Sequence, residues 1–222
     1  MARKSTERGG ARRLGTEARQ SQIITIAKHH FARRPFDQVT VDEIAREAGV
    51  SEALVFHYFP TKRELYVSAV RAASEELAAV LAPDPELPPA QRLFAGLDAY
   101  LAFLEANPEG FRSVQEGGIG SDPEVRAITQ ESLSAHVDRL IEQISAGAQA
   151  PDALRVAVRG WIGFMHAAGL QWLETKSMPR KELRDLYVRV LVAAALAAWP
   201  QSERPPEARV PPELLSWMSG GW

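Results

Sequence analysis

Apolar residues recur at three- and four-residue spacing along almost the whole chain, the period of a helix with one buried face. Ile23, Ile24, Ala27 and Phe31 form the first such stripe, which predicts a helix from Glu17 that ends before Pro35. A shorter stripe runs through Ile44, Ala45 and Ala48, and a longer one through Leu65, Val70 and Leu77 to about Ala82. Beyond the break PDPELPP at 83–89, Leu93, Leu97, Tyr100, Leu101 and Leu104 mark a helix that stops at Asn107-Pro108. A short segment around Phe111 and a loop at 117–120 lead into a helix over 123–145. Two long helices follow over 151–176 and 179–199, each opened by a proline, and the Pro-rich tail from Pro200 reads as extended with one turn at Leu214 to Met218. No run alternates with a period of two and no internal repeat is visible, so the fold class is all-α.

The punctuation in the first third is dense. Thr40 stands three residues before Glu43, the reciprocal pattern that satisfies free amides at a helix start. Gly49 stops that helix, Ser51 caps the next, and Pro60 bounds it near Phe59. Thr61 to Glu64 repeats the capping pattern and opens the long helix. Two short helices joined by a tight turn, with a helix on either side, make the helix-turn-helix pattern.

On a helical wheel the stretch 52–59 divides into two sides. Val55 and Phe59 share one, with Val50 and Tyr58 at its margin, while Glu52, Ala53, Phe56 and His57 lie opposite. So short a helix is marginal alone, and its inward residues must dock on the helices before it. The outward side is narrow enough for the major groove of DNA, where imidazole can donate to a base or phosphate and a phenyl ring can touch a thymine methyl. Thr40 and Lys62 flank it, a hydroxyl and an ammonium placed to hold phosphate oxygens.

Charge agrees with that placement. The net charge is −2, yet through Arg71 there are 13 Lys and Arg against 8 Asp and Glu, and 13 against 20 thereafter. A basic first third on an acidic body suits one region that meets a polyanion. Arg3, Lys4, Arg8, Arg12 and Arg13 with three glycines give residues 1–16 the composition of a flexible basic arm. With 45% hydrophobic and 24% charged residues the chain is an ordinary globular one. It has no cysteine, which excludes disulfides and thiolate metal sites. No signal peptide or membrane span is legible, so the expected location is cytoplasmic.

TVDEIAREAGVSEALVFHYFPTKRELY resembles the DNA-binding domain of TetR-family transcriptional regulators, whose usual form is T-x-x-x-I-A-x-x-A-G-V-S-x-x-x-x-Y-x-Y-F-x-x-K-x-x-L. The match runs from Ile23 to Leu65, and its apolar, turn, cap and basic positions all agree. The resemblance implies that Thr40, Ser51, Glu52, Ala53, His57, Tyr58 and Lys62 face bases or phosphates. It also implies an all-helical homodimer whose C-terminal domain often binds a small effector. Phe56 departs from the family's usual tyrosine, removing a hydroxyl that often reaches phosphate, and Ala53-Leu54 replaces a common small-polar pair.

The expected organisation is therefore an arm at 1–16, a three-helix DNA-binding domain at 17–63, a helical effector-binding and dimerisation domain at 64–200, and a tail at 201–222. Phe94, Leu97, Tyr100, Leu101, Leu104, Phe111, Trp161, Met165, His166 and Trp172 are the candidate lining of an apolar effector pocket, with solid core as the competing view. The last long helix is apolar on several sides, which calls for burial against its own domain and a second chain. GGIGSDPEV reads as a capped loop, because no strand precedes it and Asp122 and Glu124 would repel an anion. Histidine spacing fits no metal site, and no nucleophile, base or cofactor loop is present, so no cofactor, metal or catalysis is expected. The expected function is a repressor that binds a (pseudo)palindromic double-stranded operator and is released by a small, largely apolar effector. The alternatives are a DNA-binding protein of the same fold controlled by a protein partner and, further off, an all-helical carrier or enzyme.

Overall fold

The computed structural model describes residues 4–82, 84, 86–115, 119 and 122–219, with side chains from Gly15 onward except those of 114 and 115. Ten helices are placed among them: α1 Lys4–Phe31, α2 Val41–Ala48, α3 Glu52–Tyr58, α4 Lys62–Val80, α5 Pro89–Ala106, α6 Pro108–Gln115, α7 Pro123–Ser145, α8 Asp152–Thr175, α9 Arg180–Ala198 and α10 Pro212–Ser219. Short 3₁₀ turns lie at 36–38, 201–203 and 206–208, and no strand occurs among the described residues. No helix among them is long and apolar enough to cross a membrane.

Two compact units result. The first takes residues 1–75 and 107–128, the second 76–106 and 129–222, so α4 and α7 each contribute to both. In the first unit, Ile23, Ala27 and Phe31 of α1 meet Ile44, Ala45 and Ala48 of α2 and Val55 of α3 in one buried cluster. Leu65, Tyr66 and Ala69 of α4 close it, together with Val125 and Ile128 of α7. Phe31 meets the Tyr66 ring edge-on at 4.9 Å between centroids. The α6 start is tied in by a hydrogen bond from the Glu109 amide to the Ala32 carbonyl at 3.1 Å.

In the second unit α8 and α9 pack most closely, with α5 across both. Gly169 of α8 permits this approach: a Cβ there would lie 2.7 Å from Leu104 Cδ2 and 3.1 Å from Tyr187 Oη. Trp161 Nε1 donates to the Tyr187 carbonyl at 2.9 Å, and the Tyr187 hydroxyl donates to the Met165 carbonyl at the same distance. The Trp161 and Tyr187 donors thus both find backbone acceptors, the condition for putting such side chains inside.

Three expectations need correction. The first helix begins at Lys4, with no separate arm through residue 16. Ala11 to Arg19 are mostly good helix formers without a proline, and the two glycines before them cost only about 1 kcal/mol each. The unit built around the helix-turn-helix also takes in the rest of α4 to Glu75 and residues 107–128, because Tyr66, Val125 and Ile128 share its core. The tail is folded: Ala208, Val210 and Leu214 are buried, and Arg204 is only 3% exposed. The Arg204 guanidinium donates to the carbonyls of Ala195 at 2.7 Å, Trp199 at 2.8 Å and Ala208 at 3.3 Å, capping the end of α9 and holding the tail against it. A spacing pattern cannot reveal a contact of this kind.

Candidate nucleic-acid interface

The turn between α2 and α3 is built as its residues require. Gly49 takes φ +64°, the left-handed region glycine enters without penalty, and its amide bonds back to the end of α2. Ser51 Oγ accepts from the Leu54 amide at 3.2 Å to start α3. After seven helical residues Phe59 ends the helix, its amide on the Val55 carbonyl.

The exposed and buried positions of α3 divide as the wheel predicts. Val55 is fully buried and Phe59 nearly so, Val50 and Tyr58 are half-buried, and Glu52, Ala53, Phe56 and His57 are exposed. Phe56 keeps 40% of its surface in solvent, one of the few large apolar side chains to do so among the described residues. His57 leans edge-on against the Tyr58 ring at 5.5 Å, which restricts the imidazole without covering it. Glu52 occupies the first turn, where a carboxylate complements the helix dipole.

The flanking polar groups are less free than their positions suggest. Thr40 Oγ1 accepts from the Glu43 amide at 3.2 Å and lies 3.1 Å from the Glu43 carboxylate, which also accepts from the Thr40 amide at 3.0 Å. The hydroxyl proton is thus committed within the capping box, and a phosphate would have to compete for it. Arg34 completes the group with two bonds to Glu43, and these bonds, ahead of those from Thr40, hold the Glu43 carboxyl down at about 2. Arg63 turns to Asp122, at 2.6 and 2.7 Å, and to Glu124. That pairing raises the Arg63 pKa and lowers Asp122 to about 2, the bidentate bond being the main cause. Asp122 also accepts from the amides of Glu124 and Val125, so it caps α7; residues 117, 118, 120 and 121 of the preceding loop lie outside the described residues.

Lys62 is different. Its ammonium sits 4.2 Å from the centre of the Phe36 ring, and no carboxylate lies within ion-pair distance of it among the described residues. Arg34, Arg46 and Arg63, by contrast, are each paired with a carboxylate of the same unit.

The candidate effector residues separate. Phe111 belongs to the first unit and the other nine to the second. Phe94 meets the Trp217 ring of the tail at 5.2 Å and the Arg184 guanidinium at 5.0 Å. Trp161 and Trp172 spend their indole N–H groups on the backbone of Tyr187 and Met178, as structural residues do. Leu97, Leu101, Leu104 and Met165 are buried, and Tyr100 stacks on the half-buried His166 ring at 6.1 Å. His136, whose spacing from the other histidines fits no metal site, and Tyr187, on the apolar side of the last long helix, belong to the same unit. No group of acidic or histidine side chains able to hold a metal ion occurs among the described residues.

Comparison with known proteins agrees with this geometry. Residues 23–69 match the family model for bacterial regulatory proteins of the tetR family, and 89–195 that for a tetracyclin repressor-like C-terminal domain. The HTH-type transcriptional activator FasR of Mycolicibacterium smegmatis is 29% identical over 172 residues, 74% of this chain and 78% of that protein. The nucleoid occlusion factor SlmA of Shewanella baltica is 27% identical over 130 residues, 57% and 65% of the two lengths. Among solved structures, a tetR-family transcriptional regulator from Streptomyces coelicolor superposes with a TM-score of 0.73 at 30% identity, covering 82% of this chain and 83% of that one.

Proposed function

This chain belongs to the TetR family of DNA-binding transcriptional regulators, and from that premise we propose that α3 enters the major groove of an operator as its recognition helix. The observation that carries the reading is the division of α3: Val55 and Phe59 lock one side into the core, while Glu52, Ala53, Phe56 and His57 stand free on the other. In this reading His57 and Phe56 touch base edges, Glu52 and Ala53 tune the sequence preference, and Ser51, Tyr58, Thr40 and Lys62 meet the phosphate backbone.

The protein acts as a homodimer on a (pseudo)palindromic site. Support comes from the second unit, where Val156, Gly160, Gly163 and Ala167 of α8 and Ala193 and Ala197 of α9 are exposed, Val156 at 73%. A smooth apolar surface of this sort is what a symmetric helix-on-helix interface uses. Sedimentation as a monomer at micromolar concentration counts against it.

The regulator is a repressor whose small, largely apolar effector binds better to a form with wrongly spaced recognition helices, since equal affinity for both forms shifts nothing. α4, which contributes to both units, carries the change. The resemblance to a relative named as an activator favours a second reading, in which the same complex promotes transcription.

Selection from a random duplex pool tests the DNA assignment. An inverted repeat with half-sites about one helical turn apart is expected, and His57→Ala should weaken binding by about 1–3 kcal/mol while leaving thermal stability unchanged. Failure to enrich any sequence at about 0.1 M salt would refute it.

A further inference from the structure

α4 begins three residues after Phe59, and its first two side chains are held in different ways. Lys62 lies over the Phe36 ring, a contact that keeps the ammonium near without fixing its direction. Arg63 reaches instead for two carboxylates at the start of α7. Its Nε and Nη2 donate to the two oxygens of Asp122 at 2.6 and 2.7 Å, and Nη2 donates again to Glu124 at 3.2 Å. Two parallel bonds between a planar fork and a planar carboxylate fix the orientation of both groups, which a point-charge contact does not.

Asp122 is a rigid partner. Its amide donates to the Ile119 carbonyl at 3.1 Å, and its Oδ1 accepts from the amides of Glu124 at 2.9 Å and Val125 at 3.4 Å, so the carboxylate caps α7 while it receives Arg63. The Asp122 side chain is 13% exposed, against 42% for Arg63. Val125 is fully buried in the core of the first unit, where Leu65, Tyr66 and Ala69 of α4 also lie. Further along α4, Arg71 stands 4.0 Å from Glu124. Arg63 and Arg71, about two turns apart on α4, thus bracket one carboxylate of α7.

The apolar core already joins these two helices, and partly exposed ion pairs add little to stability. What the pair adds is geometry. Apolar burial is non-directional, so Leu65, Tyr66 and Val125 hold α4 against α7 without setting the slide or rotation of its first turn. The fork sets both. α3, with seven residues, cannot hold its own position, and its inner side and the chain that continues from Phe59 into α4 must do so.

We propose that Asp122 is a positioning residue for DNA recognition: acting through Arg63, it sets the first turn of α4, and with it Lys62 and the end of α3, where base contacts require them. This rests on α3 being the recognition helix and names a residue far outside the helix-turn-helix on which its accuracy depends. Asp122 itself touches no DNA. Contacts to base edges need their side chains held within fractions of an ångström, whereas phosphate contacts carry no sequence information and tolerate a shift. Loosening the fork therefore weakens binding to the preferred sequence. It has the opposite effect on other sequences, because loss of the Asp122 charge removes a repulsion toward the polyanion and releases Arg63 to meet phosphate.

Binding of the full chain to the duplex enriched by selection and to a scrambled duplex of the same length, each over a series of salt concentrations, tests this. Asp122→Asn keeps an acceptor for the Glu124 and Val125 amides, since asparagine caps a helix as well as aspartate does. Its preference for the selected duplex should fall about tenfold, the cost of roughly one lost base contact. The scrambled duplex should bind at least as tightly as to wild type, with a salt slope no shallower. Arg63→Lys keeps the charge and loses the fork, so its preference should fall by a similar factor. The double variant should lose no more than either single one, because both break the same bond. Circular-dichroism melting checks the fold of each variant, and Arg63→Lys serves alone if Asp122→Asn does not fold. A preference within about twofold of wild type, equal losses on both duplexes, or additive losses in the double variant overturns the proposal. Enrichment by wild type with an unchanged preference in the variants removes the positioning role and leaves the recognition helix. Failure of wild type to enrich any sequence removes both.

Discussion

Arg204 offers a sharp test of how the second unit is held together. Its guanidinium, 3% exposed, makes its three bonds to backbone carbonyls, and no carboxylate among the described residues pairs with it. Burial without a counter-ion lowers its pKa, yet an arginine remains charged throughout the accessible range. What offsets the desolvation is the end of α9, where the Ala195 and Trp199 carbonyls carry the negative pole of the helix. Replacing Arg204 with Met keeps the length of the side chain and removes the donors. The two bonds at 2.7 and 2.8 Å to a charged donor contribute about 1.5–3 kcal/mol each, less the cost of dehydrating the guanidinium. The expected loss is about 3 kcal/mol, or a fall of roughly 6–12 °C in the melting midpoint for a chain of this size. Arg204→Lys, with a point charge in place of a fork, should lose about half as much. All five tryptophans fall in the second unit, so urea unfolding followed by tryptophan fluorescence reads that unit alone. A midpoint for Arg204→Met within about 0.5 kcal/mol of wild type would refute the reasoning and mean that apolar contacts alone dock the tail.

Other substitutions probe the remaining joints. Gly169→Ala forces a Cβ against Leu104 and Tyr187 and should cost about 1–3 kcal/mol in the same assay, with no loss if the helices simply separate. Glu43 and Asp122 both have folded-state pKa values near 2, below the ordinary 4.5 and 3.8, so each stabilises the first unit above those ordinary values. That stabilisation should disappear as pH falls from about 4 to about 2, and Glu43→Gln with Asp122→Asn should flatten the acid limb of a circular-dichroism titration. Lys62→Ala should weaken DNA binding evenly across sequences and reduce the slope of log affinity against log salt by about 1, whereas an unchanged slope would place Lys62 away from phosphate.

How much of this was legible in the sequence follows from the range of the forces involved. The helix-turn-helix was written in local rules: Thr40 and Glu43, Gly49, and Ser51 each act within four residues, and all three features appear as read. The two sides of α3 were equally legible, because a fixed rotation per residue decides which of Val55 and Phe56 can reach the core. Long-range pairings were not. Arg63 and Asp122 lie 59 positions apart, and nothing near either one specifies that they meet. Arg204 looked like one more charge in a proline-rich tail, although its three acceptors came from the end of α9 and from Ala208. His136 stands in no metal-ligand spacing, and the neighbour it influences, His166, lies 30 positions away on another helix.

The same distinction explains why the two candidate sites stand on different footing. A recognition helix is a local object presented outward, so the wheel that predicts its burial also predicts which residues are offered to a partner. An interior ligand site is defined by side chains converging from several helices, and the apolar pattern that builds such a site is the pattern that builds a solid core. Trp161 and Trp172 illustrate the ambiguity: both satisfied every sequence criterion for a pocket, and both anchor loops and helices through their indole N–H groups.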